Sequence, residues 1–119
     1  MAAERTVRQL RVRAPDEALA RRARRLLEDA LRTASLPGEG GAVVLVRSLR
    51  LPPFRGAATP QSLALAIEAR CRALPVLPVT SSTTEADIAP AIAVRFRDPL
   101  HARLELGARV LRGAAPHAW

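Results

Sequence analysis

A chain of 119 residues, 49% hydrophobic and 25% charged, holds enough apolar material for one sizeable core and lies outside the compositional range of disordered proteins. No apolar run approaches the roughly 18–20 residues of a bilayer-spanning helix, and Met1 to Arg13 contains no apolar stretch of the kind a secretory signal carries. The single cysteine, Cys71, excludes an intramolecular disulfide and a multi-cysteine metal site, so a reducing, cytoplasmic setting is expected.

With no Tyr, one Trp and two Phe, the core must be filled by Leu, Val, Ile and Ala. The net charge of +8 is carried entirely by arginine, because the sequence has no lysine. Codon bias in a GC-rich genome accounts for arginine in place of lysine. The positive balance still favours acidic surfaces, protein or nucleic acid, through long-range attraction.

The first expected element is a strand from Thr6 to Arg13, where Leu10, Val12 and Ala14 alternate with Arg11 and Arg13. Pro15, Asp16 and Glu17 then open a helix that runs to about Leu36. Its apolar stripe is Leu19, Ala23, Leu26, Leu27, Ala30, Leu31 and Ala34, and Arg24 can pair with Glu28 at i,i+4. Gly38 to Gly41 reads as a turn. Ala42 to Leu51 is the clearest strand, with an unbroken Val43 to Val46 run that suits cover on both faces, ended by Pro52 and Pro53.

A second helix starts at Thr59, an N-cap residue followed by Pro60. Leu63, Ala66, Ile67, Cys71 and Leu74 form its apolar face, and Pro75 and Pro78 end it. Val76 to Ala89 reads as a polar, mobile loop. Ala91 to Arg97 alternates again, with Ile92, Val94 and Phe96 on one face and Arg95 and Arg97 on the other. Asp98 and Pro99 repeat the cap-then-proline signal for a third helix. Its stripe is Leu100, Leu104, Ala108 and Leu111, with Glu105 in reach of Arg109 and Gly113 at the left-handed C′ position. Gly107 costs this helix about 1 kcal/mol relative to Ala, which points to close packing there.

The order strand–helix–strand–helix–strand–helix predicts a single α/β (or α+β) domain over 1–119, with three strands alternating with three helices. A flexible N-terminus (1–5), a mobile loop (about 76–89) and a C-terminal tail (114–119) complete it. Strand–helix–strand units favour right-handed parallel crossovers, although the proline-rich connections are long enough to return a strand in the opposite direction.

No residue constellation supports catalysis. His101 and His117 are the only histidines, and a zinc site needs three or four ligands. Cys71 lies on an apolar helix face and reads as a small core residue. The Gly38-Glu39-Gly40-Gly41 turn follows a helix, lacks the Lys-Ser/Thr ending of a phosphate loop and carries an acid that repels phosphate. The acids are scattered, without a paired acid/base dyad. No catalytic, cofactor-binding or metal-binding residue is therefore assigned. Arg11, Arg13, Arg47, Arg50, Arg95 and Arg97 all fall on predicted strands and form a candidate basic sheet face. Phosphates would suit such a face, but RNA-binding sheets add stacking aromatics, and only Phe96 is present, facing the core. A protein interface fits better, with nucleic acid as the alternative partner.

Ile92-Ala93-Val94-Arg95-Phe96-Arg97-Asp98-Pro99, the leucine-rich helix after it and the ending Leu111-Arg112-Gly113-Ala114-Ala115-Pro116-His117-Ala118-Trp119 resemble the N-terminal region of contractile injection system tape-measure proteins. The Thr6 to Val12 strand, the first helix and the Val43 to Leu51 strand with its Arg-Ser-Leu-Arg-Leu ending are similar as well. Members of that family usually continue into a much longer region than this sequence. The resemblance implies a non-enzymatic structural part of a bacterial phage-tail-like particle that docks on tube or baseplate proteins during assembly. Arg47, Arg50, Arg95, Arg97 and Trp119 are the partner-binding residues this reading selects. Exposed strand edges or helix faces also permit a homo-oligomer.

Overall fold

The computed structural model describes residues 5–36 and 40–113. The fold is α+β, with helices α1 (Glu17–Thr33), α2 (Pro60–Ala73), α3 (Glu85–Ile88) and α4 (Pro99–Leu111), and strands β1 (Val43–Val46), β2 (Val76–Pro78) and β3 (Ala93–Phe96). The described residues fall into two compact units, one within Met1–Leu36 and Arg50–Arg72, the other within Pro37–Leu49 and Ala73–Trp119.

In the first unit, the Asp16 carboxylate accepts the Leu19 N–H at 2.8 Å and caps α1. The helix buries Ala23, Leu27 and Ala30 and stops at Thr33, three residues short of expectation. There the Thr33 hydroxyl lies 3.3 Å from both the Asp29 and Ala30 carbonyls. Ala34 is extended, and the Ser35 N–H donates to Glu68 Oε1 of α2 at 2.6 Å. Helix α2 begins at the expected residue. The Thr59 N–H donates to Ser62 Oγ at 2.9 Å and the Ser62 N–H to Thr59 Oγ1 at 3.1 Å, a reciprocal cap. Leu63, Ala64, Ile67 and Cys71 are its buried face.

The segment from Thr6 to Arg13 is not a strand: it forms no ladder, and all but Val12 of these residues are exposed. Alternation alone cannot make a strand, because the backbone N–H and C=O groups need a paired neighbour. Arg5 instead donates to the Leu31 carbonyl in the last turn of α1.

The second unit holds the sheet, ordered β1-β3-β2, with β1 antiparallel and β2 parallel to β3. The third strand is thus Val76–Pro78, inside the segment expected to be a loop, and α3 lies in that segment too. Directly paired residues share a face, so the register Val43↔Phe96, Leu45↔Val94 and Leu77↔Val94 puts these five side chains together. Val94 and Phe96 pack with Val79, Ile88 and Ala102 in one core cluster. Ile88 comes from α3 and Ala102 from α4, so both helices cover this face of the sheet. At the centre of the core, Phe96 is only 2% exposed; covering a side chain of this kind stabilises by about 1.5–3 kcal/mol.

Helix α3 is short but firmly started. Thr84 and Asp87 form a capping box, the Thr84 N–H donating to Asp87 Oδ2 at 2.9 Å. Helix α4 opens as expected, with the Asp98 carboxylate accepting the His101 N–H at 2.7 Å and Pro99 in the first turn. Gly113 closes it with φ +74°, a left-handed conformation that suits glycine.

Candidate functional site

Helix α4 is inverted relative to its sequence pattern. The residues it buries are Ala102 and Arg109, with Leu106, His101 and Glu105 half-buried beside them. The leucines of the expected core stripe face outward instead: Leu100, Leu104 and Leu111 are 65%, 64% and 89% exposed. Gly107 lies on the same outer face, and among the described residues a Cβ placed there would meet no atom beyond its own turn within 4 Å. No close packing therefore explains this glycine, contrary to expectation.

The inner polar face holds because each group on it has a partner. Arg109, its side chain 10% exposed, forms an ion pair with Glu85 at the start of α3. Glu105 is therefore not the partner of Arg109. It lies 3.7 Å from His101 Nε2. His101 Nδ1 accepts the Arg97 N–H at 3.1 Å, and the imidazole meets the Phe96 ring edge-on with centroids 5.8 Å apart. Each contact compensates the desolvation of a polar group at the core boundary. His101 is accordingly part of the packing around Phe96, tied to the strand that precedes its helix.

The arginines expected to line one sheet face are dispersed. Arg11 and Arg13 lie outside any strand. Arg47 follows β1, and its guanidinium donates to the Ala89 carbonyl at the C-cap of α3, 2.8 Å away. That is a favourable end of a helix for a cation. Arg50 belongs to the first unit. Arg95 is exposed on β3, beside the buried Ala93 on the same sheet face. Arg97 follows β3 and lies 3.6 Å from Asp98. Trp119 lies outside the described residues. On α1 the ion pair is Asp29 with Arg32, at 3.9 Å.

Formal charge is also unequal. The first unit's segments contain 13 arginines against 6 acids, a net +7. Those of the second contain 6 against 5, a net +1, and the two reproduce the total of +8. Around the leucine face of α4, however, the charge is of one sign. Arg103, next to Leu104, is exposed, and the helix's only carboxylate, Glu105, is turned toward His101.

Cys71 is buried, and burial pushes its thiol above the ordinary value of 9.0, the opposite of an activated thiolate. Among the described residues no group of three or more His, Cys, Asp or Glu is placed to hold a metal ion, and no helix is long and apolar enough to cross a membrane. No protein-family model, curated protein or solved structure matches this chain.

Proposed function

We propose that this chain is a non-enzymatic assembly module that binds another protein through the outer face of α4. The observation that carries this reading is the inversion of the helix: its leucines are spent on the surface while arginine, glutamate and histidine occupy its inner side. Leu100, Leu104 and Leu111 together leave the equivalent of about two whole leucine side chains in water. Covering them would contribute about 3–6 kcal/mol of gross apolar burial, enough to anchor a helix-in-groove contact. A contiguous apolar strip of this kind marks an interaction site more often than a scattered exposed leucine does. Assembly of a contractile, phage-tail-like particle, the setting implied by the sequence resemblance, gives such a face a tube or baseplate protein to dock on.

The test is site-specific photo-crosslinking in cells that produce the protein, with the crosslinker at position 104, at position 111 or at Arg25 on the exposed side of α1. Positions 104 and 111 are expected to yield the same discrete adduct, absent from position 25 and lost when Leu100→Gln is introduced. Adducts of equal yield and pattern at all three positions would overturn the reading.

Nucleic acid is the second reading, and the charge of the first unit favours it. Arg8, Arg11 and Arg13 are exposed on an irregular segment ahead of the arginine-rich α1. Salt-titrated binding to mixed oligonucleotides separates the two, because each neutralised phosphate steepens the loss of affinity with salt. Binding that is undiminished in the Leu100→Gln variant would assign the nucleic-acid activity to the first unit and not to α4.

A further inference from the structure

We infer that the segment seated on α4 is an acidic amphipathic helix of a partner protein. This rests on the reading of the outer face of α4 as a docking surface and adds the chemistry of what docks. Leu100, Leu104, Gly107 and Leu111 are spaced by four, three and four residues, the alternation of a coiled-coil seam rather than of a flat patch. The seam is about 16 Å long, the reach of three helical turns, so a helix laid along it meets all four positions.

Gly107 gives a second, independent pointer to a helical occupant. It lowers helix propensity in the middle of α4, yet among the described residues nothing beyond its own helical turn lies within 4 Å of a Cβ placed there. Within a seam, a residue without a side chain leaves the hole into which one large side chain of the facing helix fits. The glycine is then explained by the partner.

Charge decides between the possible occupants. The exposed flank of the seam offers Arg103, next to Leu104, and no free carboxylate on the helix. A second copy would bring the same arginine to the same seam, since a two-fold contact pairs one surface with itself. A helix with Glu or Asp beside its own apolar seam is attracted where a second copy is repelled.

The experiment uses the full chain and two labelled synthetic helices of about 20 residues, long enough to be helical in water. Both carry the same leucine seam, flanked by Glu in one and by Lys in the other, and binding is read by fluorescence anisotropy. The acidic helix is expected to bind about tenfold tighter than the basic one at low salt, with the gap narrowing as salt screens the flanks. Arg103→Glu reverses the preference. Gly107→Ala raises the melting temperature and weakens the acidic helix several-fold. Equal binding of the two helices would overturn the acidic partner and leave the docking face standing. Failure of both helices to bind would overturn the docking face itself. Concentration-dependent self-association that disappears in the Leu104→Gln variant would assign the seam to a second copy and overturn the inference.

Discussion

Removal of Glu85 should destabilise the protein more than removal of its partner Arg109, although both changes break one ion pair. The asymmetry follows from burial: the Arg109 side chain is 10% exposed and that of Glu85 48%. Glu85→Ala leaves a guanidinium at the core boundary without its anion. Breaking a fully buried pair in this way costs about 3–5 kcal/mol. Because Glu85 is half in water and the site can hydrate once the carboxylate is gone, we expect about 1–2 kcal/mol. Arg109→Met keeps an unbranched stem on the buried side of α4 and returns a half-exposed carboxylate to solvent, a change expected to fall within about 1 kcal/mol of neutral, in either direction. Urea unfolding followed by circular dichroism, at unchanged slope, reads both. The double variant should be no less stable than Arg109→Met alone, since the charge that Glu85 neutralises is absent. A loss for Arg109→Met equal to or greater than that for Glu85→Ala would contradict a buried guanidinium that depends on its pair.

Acid should act on the caps. The Asp98 carboxyl is held below its ordinary value of 3.8, chiefly because it accepts the His101 N–H, and Asp87 is held low by its hydrogen bonds to Thr84. With folded values depressed, their stabilisation is fully present above about pH 4 and is lost as pH falls through those lower values. Asn at both positions should flatten the acid limb of a stability–pH curve measured between pH 2 and 5, and an unchanged slope would show that the caps do not contribute it. Cys71, with its thiol raised by burial, should react with iodoacetamide far more slowly in the native protein than in denaturant. Equal rates would place the thiol at the surface.

Elements started by local chemistry were legible in the sequence. Thr59-Pro60 and Asp98-Pro99 each start a helix where expected, because a cap needs only residues within one turn, and α1 starts within the Pro15-Asp16-Glu17 signal, with Asp16 as its cap and Pro15 outside the first turn. The elements that depend on distant partners were not. Thr6 to Arg13 alternates as a strand would, but no neighbouring strand takes its hydrogen bonds. Val76-Leu77-Pro78 is too short and too proline-flanked to read as a strand, and it becomes one by pairing with β3. Thr84-Glu85-Ala86-Asp87, within a Ser/Thr-rich stretch that reads as loop, carries the spacing of a capping box and starts α3. The leucine stripe of α4 is one face of an amphipathic helix, as its spacing predicts, but it is the exposed face and not the buried one expected. Periodicity defines two faces without saying which meets the core. That choice falls to Glu85, 24 residues away, which neutralises Arg109 and lets the polar side turn inward. Tertiary placement likewise leaves only Arg95 of Arg47, Arg50, Arg95 and Arg97 within a strand, with Arg47 and Arg97 just past strand ends.

The most direct measurement is the unfolding free energy of a variant carrying Leu100→Gln, Leu104→Gln and Leu111→Gln together. Gln matches Leu in helix propensity, so only the side chains' surroundings are tested. If these leucines are surface reserved for a partner, the isolated chain should stay within about 0.5 kcal/mol of the unsubstituted protein per site, as exposed positions do. If they serve its own core, each change should cost about 2–5 kcal/mol, as core leucine truncations do, and the variant would fail to fold.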